Sequence, residues 1–334
     1  MPDQNRMRAV VFDASLRVVD DYPVPELRPG WARIHIQTAG ICKTDLELIK
    51  GYRGFKGVLG HEFIGVVEAC GQKGWIGKKV VGEINAACGH CEWCRKGLGH
   101  HCPARTTLGI MNHDGCMADY CILPVSNLIE IPPDVSDDRA VFTEPLSAAC
   151  EIIEQLPLTG TERAVVLGDG RLGILCAWAL STVLSDVTLV GHHPEKLQIA
   201  KWRHIQTATD PAGVSEGADI VVDATGSATG LNDAIRLCRP RGTIVLKTTI
   251  ANQCDINLAP VVVNEINIIG SRCGQFRDGI KMLQGYPDMP LTRLITDRYP
   301  IAGALAAFDR ATRPDAIKVL LQINALPEFS REVI

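Results

Sequence analysis

Ala164-Val165-Val166-Leu167-Gly168-Asp169-Gly170-Arg171-Leu172-Gly173 is the stretch whose reading decides the fold. Four apolar residues in a row read as a buried strand, and the apolar segment Leu172 to Leu184 that follows is long enough for a helix. Between them the glycines match G-x-G-x-x-G. Alone this pattern is weak, but between a strand and a helix it marks the phosphate-binding turn of a dinucleotide fold. Gly168 makes the turn, Gly170 lets a pyrophosphate approach the backbone, and Gly173 lets the helix pack on its strand. The helix N-terminus, with Arg171 and Leu172 in its first turn, then faces the phosphates.

Downstream the alternation continues. Val187 to Val190, Ile220 to Asp223 and Thr243 to Leu246 read as strands, separated by helical stretches Glu195 to Trp202 and Gly230 to Cys238. Strands alternating with helices imply a doubly wound parallel sheet with crossover helices, an α/β fold of the Rossmann kind. After Arg272 come a helix-like stretch, Asp278 to Leu283, and a strand, Ala316 to Ile323. Upstream, the first 140 residues hold short β-branched runs broken by Gly and Pro, among them Met7 to Phe12, Trp31 to Gln37, Phe63 to Glu68 and Lys79 to Gly82. That texture predicts a compact β domain.

The second strand of a dinucleotide fold usually ends in an acid that binds the adenosine ribose. Here it runs Val187-Thr188-Leu189-Val190-Gly191-His192-His193-Pro194-Glu195-Lys196, with no acid at the strand end. Gly191 removes the negative charge, and His192, His193 and Lys196 offer donors to a 2′-phosphate. The expectation is NAD(P), with NADP favoured; the alternative is a solvated turn that accepts either cofactor.

The chain has 334 residues, 46% apolar and 22% charged, with a formal net charge of −4. This excludes disorder and gives no basic footprint for nucleic acid. The apolar stretch Leu172 to Leu184 is too short to span a bilayer, so no membrane partner is expected. Its N-terminus reads MPDQNRMRAVVFD, without a signal peptide's apolar core. Thirteen cysteines in such a chain suggest metal binding in a reducing compartment, and cytoplasmic location is expected.

Cys88, Cys91, Cys94 and Cys102 follow the spacing C-x2-C-x2-C-x7-C, with Gly89, Gly97 and Gly99 to permit tight turns. Four thiolates closing a tetrahedron make a structural zinc site with no open position for chemistry. His90, His100 and His101 are substitute ligands that the all-cysteine set does not need. Two further dense motifs are Gly40-Ile41-Cys42-Lys43-Thr44-Asp45 and Gly60-His61-Glu62-Phe63-Ile64-Gly65. Cys42 and His61 are good zinc ligands, and Glu62 is a third candidate.

These motifs, followed by Glu144-Pro145-Leu146, the glycine turn and Asp223-Ala224-Thr225-Gly226, run in the order of one family. The chain resembles the zinc-dependent medium-chain dehydrogenase/reductases, the alcohol dehydrogenase family, nearest its polyol/threonine dehydrogenase branch. The resemblance covers nearly the whole chain. It implies a GroES-like β catalytic domain (1–145 and 273–334) carrying both zinc sites, and a Rossmann domain (146–272). It also implies hydride transfer between an alcohol (a polyol, sugar or other polar alcohol) and NAD(P), and a homo-oligomer, dimer or tetramer.

By the same resemblance Cys42 and His61 are catalytic zinc ligands, with Glu62 or Glu144 completing the set. Thr44 receives the substrate proton, Asp45 supports the site from behind, and Arg272 lies near the nicotinamide. Many relatives carry a histidine five residues after the ligand cysteine to end the proton relay. This chain has Glu47, so either Glu47 takes that role or the proton leaves by water or the cofactor ribose. Lys50, Arg53 and Lys56 make the following loop basic, which suits an anionic or polyhydroxylated substrate or is simply a solvated face. Two other readings stay open: a zinc-free quinone or enoyl reductase, and a non-catalytic dinucleotide-binding zinc redox sensor.

Overall fold

A computed structural model describes residues 5–248 and 256–324. The chain forms two compact units, a first of residues 1–142 with 295–334 and a second of residues 143–294.

In the second unit the apolar runs pair as expected. Six parallel strands lie side by side in the order Gln206–Ala208, Asp186–Val190, Arg163–Leu167, Ala218–Asp223, Cys238–Leu246 and Asn267–Gly270. By chain order this is 3-2-1-4-5-6, the doubly wound arrangement whose direction reverses beside Arg163–Leu167. The glycine turn therefore stands at the carboxyl edge where that reversal opens a crevice. Helix Arg171–Ser181 is buried over most of its length because it packs between strands and other helices; Trp178 is fully buried and donates its indole N–H to Ala200 O at 2.7 Å. Each fully buried Leu or Ile in this layer contributes about 1.5–3 kcal/mol.

The boundary differs from the sequence reading at its return. Helix Phe276–Gly285, placed from sequence with the first domain, packs on helix Thr143–Gln155 in the second unit. The reason is local: Cβ atoms at Gly274 and Gly279 would overlap the Ser147 carbonyl and hydroxyl, so only glycines let this segment lie so close. The chain re-enters the first unit at Ile295 instead of 273.

The first unit is built of β-sheet. Trp31–Gly40 is its central strand, pairing with Glu62–Cys70, Tyr120–Pro124 and, antiparallel, Lys318–Gln322. Lys79–Gly82 and Leu128–Glu130 extend the sheet on one side, and Ile295–Pro300 extends it on the other, parallel to Lys318–Gln322. The strand predicted at Ala316 to Ile323 is thus present and central to the sheet. Arg6–Asp13, Ser15–Pro23 and Gly57–Val58 form a smaller sheet. The register brings three segments together at one point: Gly40 lies opposite Glu62 on one side and Leu320 on the other.

Candidate metal centre and dinucleotide turn

Cys42 caps the N-terminus of the short helix Lys43–Leu48. Asp45, three residues on, reaches back so that its carboxylate accepts the Cys42 N–H at 2.8 Å, one arm of a capping box. The other Asp45 oxygen lies 3.4 Å from His61 Nδ1, which leaves Nε2 of that ring for a metal. His61 precedes the strand Glu62–Cys70 and follows Gly60, whose φ of +98° and contact with Met117 admit no side chain. Ligand atoms of Cys42, His61 and Glu62 all lie within 4.8 Å of one another. Burial works against a charge on His61, yet Asp45 and Cys42 hold its proton affinity well above the ordinary histidine range. The same anionic field suits a cation. One thiolate, one imidazole and one carboxylate are ligands that zinc accepts while keeping an open position.

Lys318 is a part of this cluster that sequence reasoning missed. It is fully buried and pairs with the fully buried Glu62 carboxylate. Burial pulls its ammonium down to about 8, while Cys42 and Asp45 act the other way. A Cβ at Gly40 would overlap Lys318 Nζ and Glu62 Oε2, so the first glycine of G-x-C-x-T-D makes room for the pair. The signal was a lone lysine in the apolar run Ala316-Ile317-Lys318-Val319-Leu320-Leu321.

Thr44 Oγ1 lies 3.7 Å from Cys42 Sγ, beside the cluster. Glu47, on the same helix, is 39% exposed and pairs with Lys50 at 3.2 Å and Lys43 at 3.7 Å. Lys56 pairs with Asp13 and Arg53 stacks over Tyr52, so in the basic loop two of the three cations, Lys50 and Lys56, are already matched by carboxylates. Glu144 stands in the first turn of helix Thr143–Gln155, in the second unit.

The four cysteines converge. Cys91 Sγ lies 3.4 Å from Cys94 and 3.7 Å from Cys102, and Cys88 lies 3.9 Å from Cys94. Tetrahedral zinc with bonds of about 2.3 Å places its sulfurs about 3.8 Å apart, so the lobe has the dimensions of a closed site. Gly89 and Gly97 turn the loop with φ of +78° and +76°. Backbone N–H groups of His90 and Cys91 pull the Cys88 thiol down to about 6, favouring the thiolate. His90 and His100 are engaged with Cys88 O and Glu83.

In the second unit the three glycines have distinct duties. Gly168 has φ +108°, and a Cβ there would press on the backbone of Ala224. At Gly173 a Cβ would run into Gly168 O. Gly170, the N-cap of helix Arg171–Ser181, has open space where its Cβ would point, as a pyrophosphate cradle requires. Arg171 and Leu172 occupy the first turn, half-buried. Asp223 secures the neighbouring loop by accepting from Thr225 N, Thr225 Oγ1 and Thr248 Oγ1 at 2.7–3.0 Å. Arg272 is exposed after the strand Asn267–Gly270, and its carbonyl accepts from Lys247.

The structure alters the basis for expecting NADP. Of the three donors proposed around Gly191, Lys196 is 6% exposed and His193 is tied to Asp169, leaving His192 open to solvent. His192 itself lies against Thr209 O at 3.3 Å.

A β unit holding a mixed-ligand centre and a four-cysteine lobe, with a doubly wound unit bearing a phosphate turn, defines a class of zinc-type oxidoreductases. The chain belongs to the medium-chain dehydrogenase/reductase family, the alcohol dehydrogenases: residues 28–133 match the alcohol dehydrogenase GroES-like domain, and residues 137–323 match the glucose dehydrogenase C-terminus. It is 29% identical to L-threonine 3-dehydrogenase of Mesorhizobium japonicum, over 91% of this chain and 94% of that one. Among solved structures it is similar to alcohol dehydrogenase TADH of Thermus sp. ATN1, with TM-score 0.84 and 28% identity over 95% of this chain and all of that one. An Escherichia coli CFT073 alcohol dehydrogenase complexed with NADH shares the fold, with TM-score 0.86 and 24% identity over 96% of this chain and 100% of that one. Among the described residues, no helix is long and apolar enough to cross a membrane.

Proposed function

We propose that the protein is a zinc-dependent, NAD(P)-linked dehydrogenase of polar alcohols such as polyols, sugars or hydroxy amino acids. The observation that carries the reading is the convergence of Cys42, His61 and Glu62 around one point, backed by the buried Asp45. When bound, zinc would supply there the Lewis acidity that lowers an alcohol's pKa, and the dinucleotide would supply the hydride acceptor.

Cys42 and His61 hold the metal, with Glu62 or Glu144 completing the set. Asp45 fixes the imidazole and the Cys42 backbone, as carboxylates behind metal ligands commonly do. Thr44 relays the alcohol proton outward; its hydroxyl is too weak a base to keep a second proton, so it passes one on as it accepts another. Glu47, partly exposed on the same helix, offers the last acceptor before solvent. Gly168, Gly170 and Gly173 with the helix N-terminus hold the pyrophosphate, and Arg272 contacts the nicotinamide end. Cys88, Cys91, Cys94 and Cys102 hold a second, structural zinc.

We place the protein in the cytoplasm as a homo-oligomer, dimer or tetramer. Exposed Val262 and Val263 beside the edge strand Asn267–Gly270 support self-association. The test is a panel of alcohols, polyols, sugars and hydroxy acids assayed for reduction of NAD and NADP, with metal counted on the same sample. Turnover with about two zincs per chain is expected. Dinucleotide binding without turnover of any substrate, and with only one zinc, would favour the redox sensor.

A further inference from the structure

The acid missing from the end of strand Asp186–Val190 is present in space, supplied by a different element. Asp169, the first variable residue of the glycine turn, folds over the strand end, and a Cβ on Gly191 would overlap its Cβ, Cγ and Oδ2. The Asp169 side chain therefore fills the place from which a strand-end side chain would start. Glycine at 191 is what this arrangement requires. Two backbone bonds hold the crossing together: Gly168 N–H to Val190 O at 2.8 Å and Gly191 N–H to Ala208 O at 3.0 Å.

The carboxylate is also fixed in direction. Its Oδ2 accepts the backbone N–H of His193 at 2.7 Å, and both oxygens lie 3.0–3.1 Å from His193 Nδ1. Asp169 is 7% exposed, so little reorientation is open to it. A fixed carboxylate at the end of the second strand accepts hydrogen bonds from ribose hydroxyls and repels a 2′-phosphate.

Resting on the dinucleotide reading above, we propose that Asp169 is the specificity-determining residue of this site, an acid displaced from the strand end into the glycine turn, and that it selects NAD over NADP. His193 positions it. The cations nearby in the chain are engaged elsewhere: Lys196 is buried, and His192 Nδ1 lies 3.3 Å from Thr209 O.

The experiment is calorimetric titration of the purified protein, and of the variants Asp169→Asn and Asp169→Ser, with NAD and with NADP. Wild type is expected to bind NAD on the order of 10- to 100-fold more tightly than NADP. In Asp169→Asn, which keeps an oxygen for the His193 N–H, NADP affinity is expected to rise about tenfold or more while that gap closes. Asp169→Ser guards against a folding artefact, and thermal melts of both variants verify the fold. Tighter binding of NADP by the wild type, or a preference unchanged in both folded variants, overturns the inference and leaves the dinucleotide reading standing. Binding of neither nucleotide overturns that reading and this inference with it.

Discussion

Glu62 and Lys318 form an ion pair that solvent does not reach, at the point where the central strand of the first unit meets the returning C-terminal strand. The pair links residues 256 positions apart, counted as 318 − 62, and sets Glu62 between a cation and the candidate metal ligands Cys42 and His61.

Removing one partner strands a buried charge. Lys318→Met is expected to destabilise the protein by about 3–5 kcal/mol in urea unfolding, and Glu62→Gln with Lys318→Met together to recover most of it. If the double variant is no more stable than the single, the pair does not act as a unit.

Asp45 acts through two other residues, the Cys42 backbone and the His61 ring. Asp45→Asn keeps an acceptor for the Cys42 N–H but loses the charge facing Nδ1. Zinc affinity at the Cys42 centre should fall about 10- to 100-fold, measured by competition with a chelator, while the four-cysteine site keeps its metal. Equal loss from both sites would contradict this placement.

The cysteine lobe is expected to be structural. Cys94→Ser should remove about one zinc per chain and open residues 88–102 to limited proteolysis. Strong protection of that loop in the metal-depleted variant would mean that the fold holds it without an ion.

The two helix-side glycines of the turn separate stability from binding. Gly173→Ala forces a Cβ into Gly168 O and should cost about 1–3 kcal/mol on denaturation. Gly170→Ala meets open space and a compatible φ of −72°, so its stability change should stay within about 0.5 kcal/mol. Dinucleotide binding by Gly170→Ala should nevertheless weaken about tenfold or more, because the added methyl occupies the cradle; calorimetry at matched protein concentration reads both effects.

The parallel sheet was legible in the sequence because buried parallel strands are continuous apolar runs and their crossover helices are long apolar segments, both local patterns. The convergence of Cys88, Cys91, Cys94 and Cys102 was legible for a related reason: short spacings keep the four thiols within one loop. Boundaries were less so. Residues 273–294 looked like a continuation of the catalytic domain until the glycines at 274 and 279 proved to seat them on Ser147.

Two charged groups at the sites came only from tertiary structure. Lys318 reads as an ordinary residue of an apolar strand, and only antiparallel pairing with Trp31–Gly40 carries it to Glu62. Asp169 looked like a variable position, and Gly191 like the absence of an acid, until the strand end and the glycine turn were seen to cross. The sequence by itself determined the elements, the glycine turn and the donor types gathered at the candidate metal sites, because these follow from residues close together in the chain. Which charges face one another depended on sheet register and strand order, since electrostatic partners are chosen by distance in space and not by distance along the chain.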